Sequence, residues 1–187
     1  GRRAGGLAAD YGAEYVEGFE DLLARPDVDA VIIATPHAQH LEQVNAAAAA
    51  RRHVLVEKPM ALDTAECDAM IAAATAAGVD LSVILTMRFD TNFRAAKARL
   101  DAGEIGAPRM LRISGLTAGY DMGHKTWIGD RVNGGALLDW GSHGFDILRF
   151  VAGADPVRLA AELADFGVAP VGEPSAMTQI RYANGVM

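Results

Sequence analysis

Apolar residues fall along this chain in two rhythms, and the change between them divides it. Residues 28–34 (Val-Asp-Ala-Val-Ile-Ile-Ala) are β-branched and nearly uninterrupted, as in a parallel strand covered on both faces. That run stops at Thr35-Pro36. Residues 38–51 then take helical spacing, anchored by Leu41 and Val44. An alanine run at 46–50 permits close packing, and Arg51 and Arg52 suit the negative end of a helix dipole. Residues 53–56 (His-Val-Leu-Val) form the next strand. Asp63-Thr-Ala-Glu66 reads as a capping-box-like start, and Cys67, Met70, Ile71 and Ala74 recur at helical spacing until Gly78. Residues 79–87 are strand again. Ahead of all these, residues 5–11 end a short helix at Gly12, and residues 19–24 form another, closed before Pro26. Strand and helix alternating over short connections predict a parallel α/β sheet.

After Asp90 the rhythm changes. Residues 93–100 form a helix ended by Gly103, residues 110–116 alternate like a half-exposed strand, and a long loop runs through Asn133. A helix over about 134–151 follows, then strands at 157–166 and 177–182 that suit an antiparallel sheet. The expected fold is α/β, a partial Rossmann-type parallel sheet over 1–88 followed by an α+β domain with a mostly antiparallel open sheet over 89–187. A doubly wound sheet needs its first strand at the centre, yet the α/β portion opens on a helix with no G-x-G-x-x-G before it. The turn Ala183-Asn-Gly-Val186 is a hairpin signal two residues from the end. Both features predict a piece of a longer protein.

Composition narrows the class of function. The chain has 187 residues, a formal net charge of −7 and scattered Lys and Arg, a poor match to nucleic acid or an anionic membrane. No run approaches a membrane-spanning length. Alanine is about a fifth of the chain, but enough larger apolar residues remain for a core. The single cysteine, Cys67, leaves no internal disulfide and no cysteine-built metal site. The expectation is a globular cytoplasmic protein.

Three stretches carry chemistry. Glu57-Lys58-Pro59 follows a strand directly, and ligands of open parallel sheets sit at the carboxyl ends of strands. A lysine there can polarise a substrate oxygen; on the tripeptide alone, an exposed lysine before a strand-ending proline is the plainer reading. Thr35-Pro-His-Ala-Gln-His40 ends the preceding strand and opens a helix, a setting suited to a ribose or phosphate. His40 by itself reads as a helix-start residue with a local hydrogen bond. In Gly134-Gly-Ala-Leu-Leu-Asp139-Trp-Gly-Ser-His143-Gly-Phe-Asp146, helical spacing puts Asp139, His143 and Asp146 on one face. An Asp beside a His orients the imidazole and favours its protonated form, as acid–base catalysis requires. The alternative is a buried Asp–His pair that ties the helix down. Four glycines in this stretch cost helix stability at up to about 1 kcal/mol each in interior positions, which predicts that something approaches its backbone closely. No third ligand completes a metal site around Asp139 and His143.

Taken in order, strand–Thr-Pro-x-x-x-His, strand–Glu-Lys-Pro, Arg88-Phe89, Gly103-Glu-Ile-Gly106 and Gly-Gly-x-x-x-Asp-x-Gly-x-His-x-x-Asp resemble the Gfo/Idh/MocA family of NAD(P)-dependent oxidoreductases. The resemblance runs across essentially the whole chain. It implies that Lys58, Asp139 and His143 line the substrate and act as catalytic residues. It also implies that Thr35, Pro36, His40, Glu57 and Pro59 lie along the cofactor, NAD or NADP. The implied activity is hydride transfer between the dinucleotide and a hydroxyl or carbonyl of a sugar, cyclitol or related polyol. The partners implied are a small-molecule polyol-type substrate and further copies of the chain, meeting through the C-terminal sheet. An NAD-using glycosidase-type enzyme and a non-catalytic dinucleotide-binding regulator share the same scaffold and stay open.

Overall fold

The computed structural model describes residues 2–115, 135, 137–164 and 175–187. Helices α1 (Arg2–Asp10) and α2 (Phe19–Leu23) precede strand β1 (Ala30–Ile33). A 3₁₀ turn, His37–Gln39, runs into α3 (His40–Ala49), followed by β2 (His53–Glu57), α4 (Thr64–Ala77) and β3 (Leu81–Ile84). A second 3₁₀ turn, Thr86–Phe89, leads to α5 (Thr91–Asp101). The later half holds a π-helical turn (Leu137–Gly141), α6 (Ser142–Ala152), β4 (Pro156–Ala164) and β5 (Ser175–Tyr182).

β1, β2 and β3 form a parallel sheet in that order, with Ile33 beside Val56 and Glu57 beside Ile84 at the carboxyl ends. The ends of β1 and β2 are therefore neighbours, as the two motif positions require. α3 and α4 pack together on one face, over Val31, Ile33, Val54 and Val56. Val44 and Met70 of these helices are fully buried against that face. The reading of β1 as covered on both faces is corrected. Ile32 is 71% exposed and burial alternates along the strand, because both helices lie on the same side and nothing among the described residues covers the other. Such unbroken apolar runs are shared by strands covered once and strands covered twice, so the pattern could not separate them.

Local signals act as the sequence predicts at several boundaries. Asp63 accepts a hydrogen bond from the Glu66 amide at 2.9 Å, and the Glu66 carboxylate accepts from the Leu62 amide at 3.0 Å, a capping box shifted by one residue. Asp90 supplies a cap for α5 that was not among those expected, accepting from the amides of Asn92 and Phe93. Gly78 ends α4 with φ +69°, a left-handed conformation that a side chain would strain. β3 is shorter than expected, because residues 86–89 turn into a 3₁₀ helix.

In the later half, β4 and β5 pair antiparallel, with Leu159 beside Ile180 and Glu162 beside Met177. Tyr182, Val186 and Ala152 form a second small core with Leu111 and Leu148 beside it. The strand expected over 110–116 is not formed at 110–115. Its backbone is instead pinned at one point, where the Leu111 amide donates to Met187 O at 2.7 Å and the Met187 amide to Arg109 O at 3.2 Å. That exchange has the form of a parallel bridge, and a single bridge is too short to define a strand. Leu116, the loop through Asn133, Gly134 and residues 165–166 lie outside the described residues. No helix among the described residues is long and apolar enough to cross a membrane.

Met70→Ala should cost about 2–5 kcal/mol, because the side chain is fully buried between the helices and the sheet. Ile71→Ala, one position on but 51% exposed, should change stability by no more than about 0.5 kcal/mol. Denaturant midpoints of the two variants check this, and equal losses would mean the α4 register is wrong.

Candidate functional site

The site gathers where the parallel strands end. β2 delivers Glu57 and Lys58 there, and the peptide from Lys58 to Pro59 is cis. The Lys58 side chain crosses to the later half of the chain, where its Nζ donates to the Asp139 carboxylate and, at 3.0 Å, to the Asp139 carbonyl oxygen. Both side chains are only 16% exposed. An ammonium has three N–H donors, so one N–H of Lys58 remains beyond these two contacts.

The π turn explains how Asp139 can present its backbone as well as its carboxylate. Widening the helix from the α repeat at Leu137–Gly141 turns the Asp139 carbonyl outward, to accept from both Lys58 Nζ and the Ser142 hydroxyl at 2.9 Å. The expectation of one regular helix over 134–151 is corrected by this turn, while Asp139 and Asp146 both still act on His143 through their charges. Asp139 engages Lys58. Asp146, on α6, receives a two-pronged bond from Arg88, Nε at 2.7 Å and an outer nitrogen at 2.5 Å. The Arg88 guanidinium also lies 5.4 Å from the centre of the Phe150 ring. Sequence reasoning noted Arg88 and Asp146 singly and missed the pair. Opposite charges at a strand end and on the motif helix were the available signal.

His143 follows on the first turn of α6, half-buried. Its Nδ1 is buried and has no hydrogen-bond partner among the described residues. The carboxylate expected to orient this ring is held by Lys58 instead. The expected upward pull on the His143 pKa is also outweighed. Burial lowers it first and the Lys58 charge second, against upward contributions from Asp139, Glu57 and Asp146, so it lies below the ordinary histidine value of 6.5. The ring is thereby kept neutral to lower pH, the form a proton acceptor needs.

The glycines of this stretch make room for a neighbour within the protein. A Cβ on Gly144 would meet the Trp140 ring at 3.2 Å and Ile113 at 3.6 Å, and one on Gly115 would meet the same indole at 2.3 Å. Trp140 is thus the group that approaches the backbone closely.

At the end of β1, the Thr35 hydroxyl donates to Gln43 Oε1 at 2.6 Å, and Gln43 in turn donates to Gln39 at 3.3 Å. Pro36 is partly buried and Pro59 buried, and the Glu57 carboxylate accepts from the Lys58 amide at 3.0 Å. His40 is corrected as a cofactor contact. It is fully buried, and both ring nitrogens face backbone carbonyls, Nε2 to Thr35 O at 3.0 Å and Nδ1 to Pro59 O at 3.0 Å and Met60 O at 3.3 Å. One of these bonds is the local one expected, to Thr35 five residues back, and the other reaches 19 residues along the chain.

The parallel sheet thus carries at its strand ends a lysine paired to an aspartate of a second region, beside a half-buried histidine. The chain belongs to the Gfo/Idh/MocA family: residues 1–85 match the family's NAD-binding Rossmann fold and residues 93–187 match its C-terminal domain. It is 33% identical over 171 residues to myo-inositol 2-dehydrogenase of Thermotoga maritima, covering 89% of this chain and 50% of that protein. It is 36% identical over 176 residues to 1,5-anhydro-D-fructose reductase of Ensifer adhaerens, covering 92% of this chain and 52% of that protein. Among solved structures, GenD2 from gentamicin A biosynthesis in complex with NAD superposes with a TM-score of 0.90 at 29% identity, covering 99% of this chain and 53% of that one. The chain spans about half the length of these relatives.

Replacing Lys58 by Met removes a positive charge that lowers the His143 pKa and frees the Asp139 charge that raises it. Lys58→Met should therefore move the His143 titration to higher pH, read from its ring proton resonance. A downward move or none would show that burial alone sets the value.

Proposed function

We propose that the chain forms the catalytic part of a dehydrogenase that moves a hydride between NAD or NADP and a CH–OH or carbonyl carbon of a sugar, cyclitol or related polyol. The observation that carries the reading is the Lys58–Asp139 pair, which joins the two motifs across 81 residues and leaves one lysine N–H for a substrate oxygen beside His143.

The strand ends fit the nicotinamide end of a dinucleotide, since a crevice at the carboxyl edge of a parallel sheet is where such ligands lie. Thr35, Pro36, Glu57 and Pro59 would hold it, although the Thr35 hydroxyl already has a partner in Gln43. When bound, the dinucleotide supplies the hydride acceptor for alcohol oxidation. The rest of the chemistry belongs to the side chains. Neutral His143 takes the hydroxyl proton. Lys58 donates its remaining N–H to the same oxygen and stabilises the negative charge growing there, without having to reorganise. Asp139 holds Lys58 in place with both its carboxylate and its carbonyl.

The named activities of the inositol dehydrogenase and anhydrofructose reductase relatives support a polyol or sugar substrate, and the NAD held by GenD2 supports NAD as the dinucleotide. The proposed division at 88–89 falls between the two family matches, over residues 1–85 and 93–187, which support a two-part chain. Further copies of the chain meet through the β4–β5 sheet, where Val157, Leu159, Leu163 and Met177 stand exposed. The reading places the enzyme in the cytoplasm with its dinucleotide pool.

In the expressed full-length protein, His143→Ala should lower polyol oxidation by about 10²–10⁴-fold while the protein stays folded. In the wild type, kcat/KM for oxidation should fall with decreasing pH along a limb centred below 6.5, where His143 gains its proton. That limb should vanish in the variant. A folded His143→Ala enzyme with normal turnover would sink the assignment of His143 as the base.

A further inference from the structure

Between the last paired residues of β1 and β2 and the residues that line the crevice, the sheet stops supplying order. The β1–β2 ladder ends at Ile33 and Val56, and the β2–β3 ladder ends at Glu57 and Ile84. Lys58 is the first residue of β2's chain beyond any ladder, and Pro59 after it has no N–H to donate. What grips the backbone there is His40. Its imidazole spans the gap between the two chain segments, from Thr35 O on one side to Pro59 O and Met60 O on the other, in a site closed to solvent. A carbonyl oxygen only accepts, so the imidazole is the donor in any hydrogen bond it makes to either segment, and its two nitrogens lie within reach of both.

We propose that His40 is a positioning residue for Lys58. Lys58 is bracketed by the Glu57–Ile84 ladder pair on one side and by the His40 bond to the Pro59 carbonyl on the other, so the imidazole sets where the ammonium is launched toward Asp139. This rests on the reading of Lys58 as the group that polarises the substrate oxygen. Reacting groups misplaced by about 1 Å lose about 10²-fold in rate, so a residue that touches neither substrate nor cofactor still governs turnover. Glutamine and asparagine can donate to one of the two sides but cannot span both, so they break the bridge while keeping a polar group in the buried site.

His40→Gln and His40→Asn are compared with wild type in the full-length protein by three readouts. These are polyol oxidation kinetics, NAD binding by calorimetry, and the rate at which acetic anhydride labels Lys58, read by peptide mass spectrometry with Lys97 as internal reference. Lys97 is paired to Asp101 within α5 and stands over the Phe150 ring. The expected result is a kcat lowered by about 10²-fold, KM and NAD affinity near wild type, and several-fold faster labelling of Lys58 relative to Lys97. Unchanged Lys58 labelling or unchanged kcat in a folded variant would overturn the proposal. Loss of folding in both variants would also overturn it, by giving His40 a structural role alone. If wild-type protein oxidises no polyol, the functional reading fails, while faster labelling of Lys58 in the variants still establishes the latch.

Discussion

Everything at the site depends on one contact across the molecule, Lys58 of the first region with Asp139 of the second. A lysine at the end of a parallel strand would ordinarily extend into water. Here it lies largely enclosed, and the enclosure is tolerable only because a carboxylate and a carbonyl of the same residue receive its protons. Ion pairs in such settings offset their own desolvation with little to spare, and their value is greater for fixing geometry than for stability. The second crossing, from Arg88 to Asp146, uses the planar fork of a guanidinium against both carboxylate oxygens and so fixes angle as well as distance. Together the two pairs register α6 and the turn before it against the ends of β2 and β3.

The charge arrangement also decides what His143 can do. An aspartate neighbour alone would favour the imidazolium, a proton donor at rest. With the carboxylate held by a lysine, the Lys58 charge counters the upward pull of Asp139, and burial, the largest contribution, decides for the neutral form. The same lysine that polarises the substrate oxygen therefore also keeps its neighbour ready to accept the proton. Balance of this kind needs all three groups in place, and they come from two regions that share no local sequence.

Much of the fold was legible in the sequence because its signals are local. The Asp63 cap, the Gly78 stop and the three apolar runs each depend on a few adjacent residues, and each marks a boundary that the structure forms. The misreadings were of relations between elements. Whether Ile32 is covered depends on which side α3 and α4 choose, and a strand at 110–115 depends on how far a neighbour runs beside it; neither is written in the segment itself. At the site, the motif residues were found by type and order, but helical spacing did not reveal the contact of Asp139 with Lys58. The α repeat assumed through 137–141 gives way to a wider turn that ends at Gly141 and holds a close-packed Trp140. His40 was visible as a residue and invisible as a bridge, since its partners lie 5, 19 and 20 positions away and are backbone atoms.

The π turn has a consequence for how this region can vary. A wider turn holds one more residue than the α-helical turn it replaces, so it behaves as a single-residue insertion stored inside a helix. Losing one codon anywhere within 137–141 would let the chain relax into an ordinary helix running on from α6. The stored residue is what such a deletion removes, so the segments on either side would keep their directions, and only the side chains inside the turn, Asp139 among them, would be moved to new faces. Substitutions in this stretch can be absorbed one side chain at a time; changes of length cannot, because the reading frame of the helix surface is what keeps the lysine's partner in view.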